Sequence, residues 1–112
     1  MQAIHRDDGE LCGFVRAHHD TWHALAVFGG LLEVVDTRAA AEQVVHDIGL
    51  AALAERWLLR TASADEEIVC IQEASPAGVT VAIGYYSLPG VPTRHITRDE
   101  IDGGRCELRR TR

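Results

Sequence analysis

Residues 36–60, DTRAAAEQVVHDIGLAALAERWLLR, decide the fold, because they contain the clearest helix and its exit into a new strand. Asp36 and Thr37 are both good N-cap residues, since their side-chain oxygens can accept from free backbone N–H groups. Apolar side chains recur at helical spacing and form one stripe: Ala41, Val44, Val45 and Ile48. Gly49 is predicted to end the helix in the left-handed conformation. The pattern therefore predicts a helix at about residues 37–48 that covers a sheet.

Three apolar or alternating segments precede this helix and predict strands. They are residues 10–17, 22–28 and 31–35. Gly29 and Gly30 are predicted to join the last two strands, because both positions can take the positive φ of a tight hairpin. The fold class predicted is α+β: a three-stranded antiparallel meander plus one helix, in a unit spanning residues 1–55, followed by a mostly-β half.

The second unit is predicted to span residues 56–112 and to share one compact domain with the first. It contains the run IVCIQEASPAGVTVAIGYY, followed by ITRDEI, in which Thr97 and Glu100 have the spacing of a capping box. Five short strands, a hairpin and one helical turn before the last strand are predicted here. In this layout residues 57–109 resemble an SH3-like small barrel of the Tudor type. A single continuous antiparallel sheet with one helix is the alternative.

Charge and cysteine content limit the function. The 112 residues carry a net charge of −6 with a pI near 5.4, so binding to a nucleic-acid backbone or an anionic membrane is disfavoured. No segment has the length of a membrane span. Cys12, Cys70 and Cys106 are far apart in apolar or alternating runs, which favours buried free thiols in a reducing cytosol. We therefore predict a cytoplasmic protein without a membrane partner.

The densest polar cluster is the segment HHDTWH, which contains His18, His19 and His23. If the turn takes four residues, His18 and His23 face each other across a hairpin. Two imidazoles and a nearby carboxylate are ligands that suit Zn²⁺, so these three histidines are the candidate metal ligands. Their spacing matches no standard zinc finger, and solvated histidines at a hairpin tip are the alternative interpretation.

Aromatic residues provide the other candidate surface. The Tudor resemblance implies an aromatic cage at the barrel mouth, for which Trp57, Tyr85 and Tyr86 are available. The alternative is that Trp57 fills the core and that only one of the two tyrosines faces outward. The arginines at 105, 109, 110 and 112 form a basic tail, predicted to be a solvated end.

No catalytic set is predicted, because the cysteines lack a neighbouring base and the paired carboxylates fall in turns or at a helix start. The sequence therefore predicts a small non-enzymatic interaction or regulatory module, with a protein partner or a homodimer. A metal-dependent protein or enzyme using His18, His19 and His23 is the first alternative. A nucleic-acid-binding regulator is the second.

Overall fold

The computed structural model describes residues 1–62, 65–84 and 90–111. The first half contains β1 (Gln2–His5), β2 (Leu11–His18), β3 (Thr21–Ala26), β4 (Leu31–Val35) and helix α1 (Arg38–Ile48), followed by a 3₁₀ turn (Ala51–Ala54). The second half contains β5 (Arg56–Arg60), β6 (Glu66–Ser75), β7 (Gly78–Ile83), β8 (Thr93–Thr97), the short helix α2 (Arg98–Asp102) and β9 (Glu107–Arg110).

Within the described residues, nine strands form one curled sheet in the order β1-β2-β3-β4-β9-β5-β6-β7-β8. The last strand, β9, lies in the middle, parallel to β4 and antiparallel to β5. The predicted α+β class, a three-stranded meander plus one helix, is therefore wrong. The protein is mostly β, and its single sheet runs through both halves. A hydrophobic period in the sequence identifies a strand but does not show which strands pair with it. The order of the strands in the sheet therefore left no local signal.

The strand missed by the sequence analysis is β1, which pairs antiparallel with β2 at the edge of the sheet. Its residues are exposed except for the half-buried Ile4, so they lack the apolar alternation that marks a strand. The register between β1 and β2 shifts between Ile4 and His5. The meander therefore has four strands, β1 to β4, and the prediction of three is corrected.

Helix α1 begins and ends close to the predicted positions. Its N-cap is Thr37, whose Oγ1 accepts a hydrogen bond of 3.1 Å from the Ala40 N–H. Gly49 follows the helix with a right-handed φ of −55°, so the predicted left-handed conformation is wrong. A Cβ at this position would lie 2.5 Å from the carbonyl oxygen of Cys12, so the glycine allows the backbone of β2 to approach. In the described ranges no helix is long and apolar enough to cross a membrane.

Trp57 is fully buried where the two halves meet. Its ring lies 5.1 Å from that of Phe28, edge to face, and its Nε1–H donates to the Ala52 carbonyl at 3.0 Å. A Cβ at Gly30 would clash with Phe28 and lie 2.8 Å from Cζ3 of Trp57. Of the two hairpin glycines, Gly29 alone has positive φ, at 94°, whereas Gly30 makes room for the two rings.

Substitution of Val45 by Ala tests the packing of α1 on β2 to β4. Val45 is fully buried, so removal of its two methyl groups loses burial and leaves a cavity. We expect the free energy of unfolding to fall by about 2 kcal/mol in chemical denaturation. The matched control is Val34→Ala, because Val34 is 47% exposed and should cost less than about 0.5 kcal/mol. Equal effects of the two substitutions would contradict the assigned face of α1.

Candidate functional site

The histidines predicted to bind a metal lie at the tip of the β2–β3 hairpin. β2 ends at His18 and β3 begins at Thr21, so the turn comprises two residues, His19 and Asp20, and not the predicted four. His19 has a positive φ of 54°, and no other non-glycine residue of the described chain does. Positive φ at the first central residue alone is typical of a type II′ turn. The Thr21 hydroxyl donates to the His18 carbonyl at 2.9 Å and stabilises this turn.

The register between β2 and β3 places Arg16 beside the histidines of the hairpin. His23 pairs directly with Arg16, two residues before His18, so His18 and His23 are diagonal neighbours and not opposite each other. These three side chains share one face of the hairpin. The other face packs on α1, because a Cβ at Gly13 would lie 3.0 Å from the Val45 side chain. The histidines therefore lie on the face that points away from the helix.

The side chains of Arg16, His23, His18 and His19 form a continuous row, which we call the hairpin row. The ring centroid of His18 lies 4.5 Å from that of His23 and 4.5 Å from that of His19. Nη2 of Arg16 lies 3.5 Å from Nδ1 of His23. Because an arginine only donates, this contact assigns the neutral His23 ring a proton on Nε2. The row holds one permanent positive charge and three groups that can take up protons.

The arrangement of the rings bears on the predicted Zn²⁺ site. The His18 and His23 rings stack with a tilt of 30°. Among the described residues, no group of three or more His, Cys, Asp or Glu side chains is placed to hold a metal ion. The zinc site at His18, His19 and His23 therefore stays a prediction that rests on sequence spacing.

His23 is half-buried, and its pKa is lowered from the ordinary value. The main cause is burial, which disfavours the charged ring; the neighbouring His18 and the guanidinium of Arg16 lower it further. The folded protein therefore favours neutral His23. Protonation of this ring places a second positive charge beside Arg16.

A half-open cavity of about 130 Å³ lies at the base of the hairpin row. Arg16 and His23 line one part of it. Its apolar lining comes from four elements, namely β3, β4, α2 and β9, through Leu25, Leu31, Ile101 and Leu108. The cavity thus joins residues from both ends of the chain, which the sheet order brings together.

Three charged residues that line this cavity already have partners. Asp102 accepts from Nε of Arg98 at 3.0 Å. The other two make ion pairs of 2.9 Å across the sheet: Glu107 with Arg60, and Arg109 with Glu66. The half-buried Arg16 differs from them, because no carboxylate of the described residues lies within ion-pair distance of it. The sequence analysis missed Arg16, although a two-residue turn would have placed it opposite His23.

The other predicted surfaces have different locations. Trp57 is buried in the core, whereas Tyr85 and Tyr86 lie outside the described residues. In the predicted solvated basic tail, Arg105 and Arg109 are exposed and Arg112 lies outside the described residues. Arg110 differs from the prediction, because it pairs with Glu55 at 2.9 Å and is mostly buried. Its position in a strand in the middle of the sheet leaves no local signal in the sequence.

No disulfide joins the three cysteines of the described chain, of which Cys12 and Cys106 are buried and Cys70 is half-buried. Burial raises the pKa of the Cys12 thiol. Cys106 lies in the cavity wall, where its sulfur accepts from Nη2 of Arg94 at 3.8 Å.

The lowered pKa of His23 predicts a pH-dependent stability. The unfolded chain takes up a proton at this residue at higher pH than the folded protein does, so folding loses free energy as the pH falls from about 6.5. We expect His23→Gln to lose less unfolding free energy than the wild type between about pH 7.5 and about pH 5.5. Denaturant titrations at the two pH values measure this difference.

The matched control for this experiment is His5→Gln, which removes an exposed histidine of β1 that lies outside the hairpin row. It should show the same change between the two pH values as the wild type. If His23→Gln also showed that change, the electrostatic interpretation of the hairpin row would be wrong.

Comparison with protein-family models, with curated proteins and with solved structures found no match to this chain. The interpretation of the site therefore rests on its own geometry: a row of cationic and protonatable side chains above a small cavity that both apolar and charged residues line.

Proposed function

We propose that the protein is a small non-enzymatic interaction module that binds an acidic segment of a protein partner through the hairpin row. The observation that carries this proposal is Arg16, which is half-buried and faces no carboxylate in the described part of the chain. A guanidinium in that position favours an anionic partner, and carboxylates match its geometry best.

Charge and exposure support the same surface. The chain has a net charge of −6, but the hairpin row is cationic and gains charge on protonation. Val34 pairs with His23 on the adjacent strand and is 47% exposed. In the described ranges Met1 is the other exposed large apolar residue. An acidic segment with an apolar side chain would therefore contact both Arg16 and Val34.

The two edge strands offer only short runs of outward-facing backbone groups for strand addition. The Ile83 N–H donates to Pro92 and the Arg98 N–H to Ala77, so the backbone groups of Thr93, His95 and Thr97 in β8 point away from β7. The Thr97 N–H is already bound by Glu100. At the other edge, β1 has four residues and a register shift. Short or irregular edges are typical of strands protected from pairing.

We further propose that residues 57–109 are SH3-like. The order β9-β5-β6-β7-β8, with the capped helix α2 before the last strand, supports this interpretation. A Tudor-type cage is not included, because the ring of Trp57 is buried. The unit boundary near residue 55 belongs to the same proposal. The buried thiols Cys12 and Cys106 support a cytoplasmic location.

A labelled peptide of alternating glutamate and leucine residues tests the proposed function, with the glutamine–leucine peptide as the neutral control. We expect fluorescence anisotropy to show binding of the acidic peptide that weakens as salt is added. Val34→Glu should weaken binding about tenfold, that is by about 1.4 kcal/mol, because it places a like charge in the contact. The matched control Ala39→Glu adds the same charge at an exposed site on α1 and should have little effect.

Three outcomes would contradict the proposal. Equal effects of Val34→Glu and Ala39→Glu would mean that net charge alone governs binding. Equal binding of an oligothymidylate would favour the nucleic-acid alternative. Dimers of the protein that dissociate in Val34→Glu would identify a second copy of the chain as the partner.

A further inference from the structure

The cavity below the hairpin row has the features of a binding site for a small molecule. Its apolar lining comprises Leu25, Leu31, Ile101 and Leu108. Leu25 and Leu108 are almost fully buried, and the four side chains come from four separate elements. Small-molecule sites are mostly apolar concave surfaces with a few polar groups that orient the ligand.

The charged groups that line this cavity differ in whether an ion pair within the protein neutralises them. Asp102, Glu107 and Arg109 are each neutralised by an ion pair within the protein. Arg16 keeps its charge uncompensated, and its one polar contact among the described residues is the 3.5 Å contact with His23. A guanidinium has five N–H donors, so most of its donors remain available to a ligand.

We propose that this cavity binds a small organic carboxylate with a short, branched apolar body. The carboxylate would accept two parallel hydrogen bonds from Arg16, which is the geometry that a guanidinium favours. The apolar body would contact Leu25, Leu31 and Leu108 and remove its own surface from water. The Nε2–H of the neutral His23 ring would donate one further hydrogen bond to the carboxylate.

The size of the cavity limits the ligand. An apolar cavity of about 150 Å³ in another protein holds benzene, and the volume here is about 130 Å³. A branched acid of five or six carbons therefore fits the cavity, whereas a nucleotide or a sugar phosphate is too large for it. The same chemistry occurs in a free branched-chain acid and in the C-terminal leucine of a peptide.

This inference shares Arg16 with the proposed function, but the acid also needs the apolar cavity, whereas the acidic peptide contacts Val34 and the hairpin row above it. The two tests fail separately. Leu31→Phe narrows the cavity and keeps the row, so it should remove binding of the acid and spare that of the glutamate–leucine peptide.

The experiment is a titration of ¹⁵N-labelled protein with sodium 4-methylpentanoate, followed by amide chemical shifts. We expect saturable shifts centred on Arg16, Leu25, Leu31 and Leu108. The neutral amide of the same acid should not saturate, because it lacks the charge that Arg16 binds. A short peptide ending in leucine is the second ligand, and the tighter of the two identifies the source of the carboxylate.

Two arginine substitutions complete the design. Arg16→Gln should weaken binding of the acid at least tenfold with an unchanged thermal midpoint. The matched control Arg105→Gln removes a charge that does not line the cavity and should bind like the wild type. The inference is overturned if no shift saturates up to about 10 mM acid, if the amide binds as well as the acid, or if the two variants behave alike.

Discussion

The rest of the structure depends on the placement of β9 between β4 and β5. Without it the sheet would divide into β1–β4 and β5–β8, since β9 provides the strand contact between those two sets in the described chain. The pairing of β9 with β4 closes the long segment of chain between these two strands, which costs conformational entropy. This cost rises only slowly with the length of the segment. The burial of Leu108, opposite Leu59, offsets it. The exposed ion pair of Arg109 with Glu66 adds little.

The same strand builds the candidate site. Glu107, Leu108 and Arg109 of β9 line the cavity. Leu31 of β4 also lines it, because Leu31 pairs with Arg109 in the sheet. Fold and site are therefore coupled through one strand. A change that weakens the pairing of β9 should open the cavity before it affects the hairpin row, whose side chains contact one another within the β2–β3 hairpin.

Local signals in the sequence predicted the local structure well. Helix α1, a cap at one of the two candidates Asp36 and Thr37, and the capping box of Thr97 and Glu100 depend on neighbours in the chain, and the structure contains all of them, with the cap at Thr37. The roles of Gly30 and Gly49 could not be predicted, because each is set by the approach of a distant ring or backbone. For the same reason the position of β9 was missed.

In the candidate site too, the features set by sequence neighbours were predicted and those set by distant residues were not. The histidines are adjacent in sequence and were identified as a cluster, whereas the place of Arg16 depends on the hairpin register. That register follows from the length of the turn, and one turn of two residues instead of four changes every cross-strand pair. The cavity could not be found from the sequence, because Ile101 and Leu108 reach it only through the folded sheet.

A comparison of two arginines explains why Arg16 is informative. Arg98 lies on the same side of the sheet, with its guanidinium 4.7 Å from the centroid of the Phe14 ring. It also donates to Asp102 within α2 and to the Pro76 carbonyl, so it connects α2 with the turn between β6 and β7 as well as with Phe14 of β2. A five-residue helix is not stable alone, so Arg98 has a structural role. Arg16 has no comparable set of contacts in the described structure, although its partial burial removes part of its hydration. A guanidinium in that state favours an external anion, because the protein leaves its donors unused.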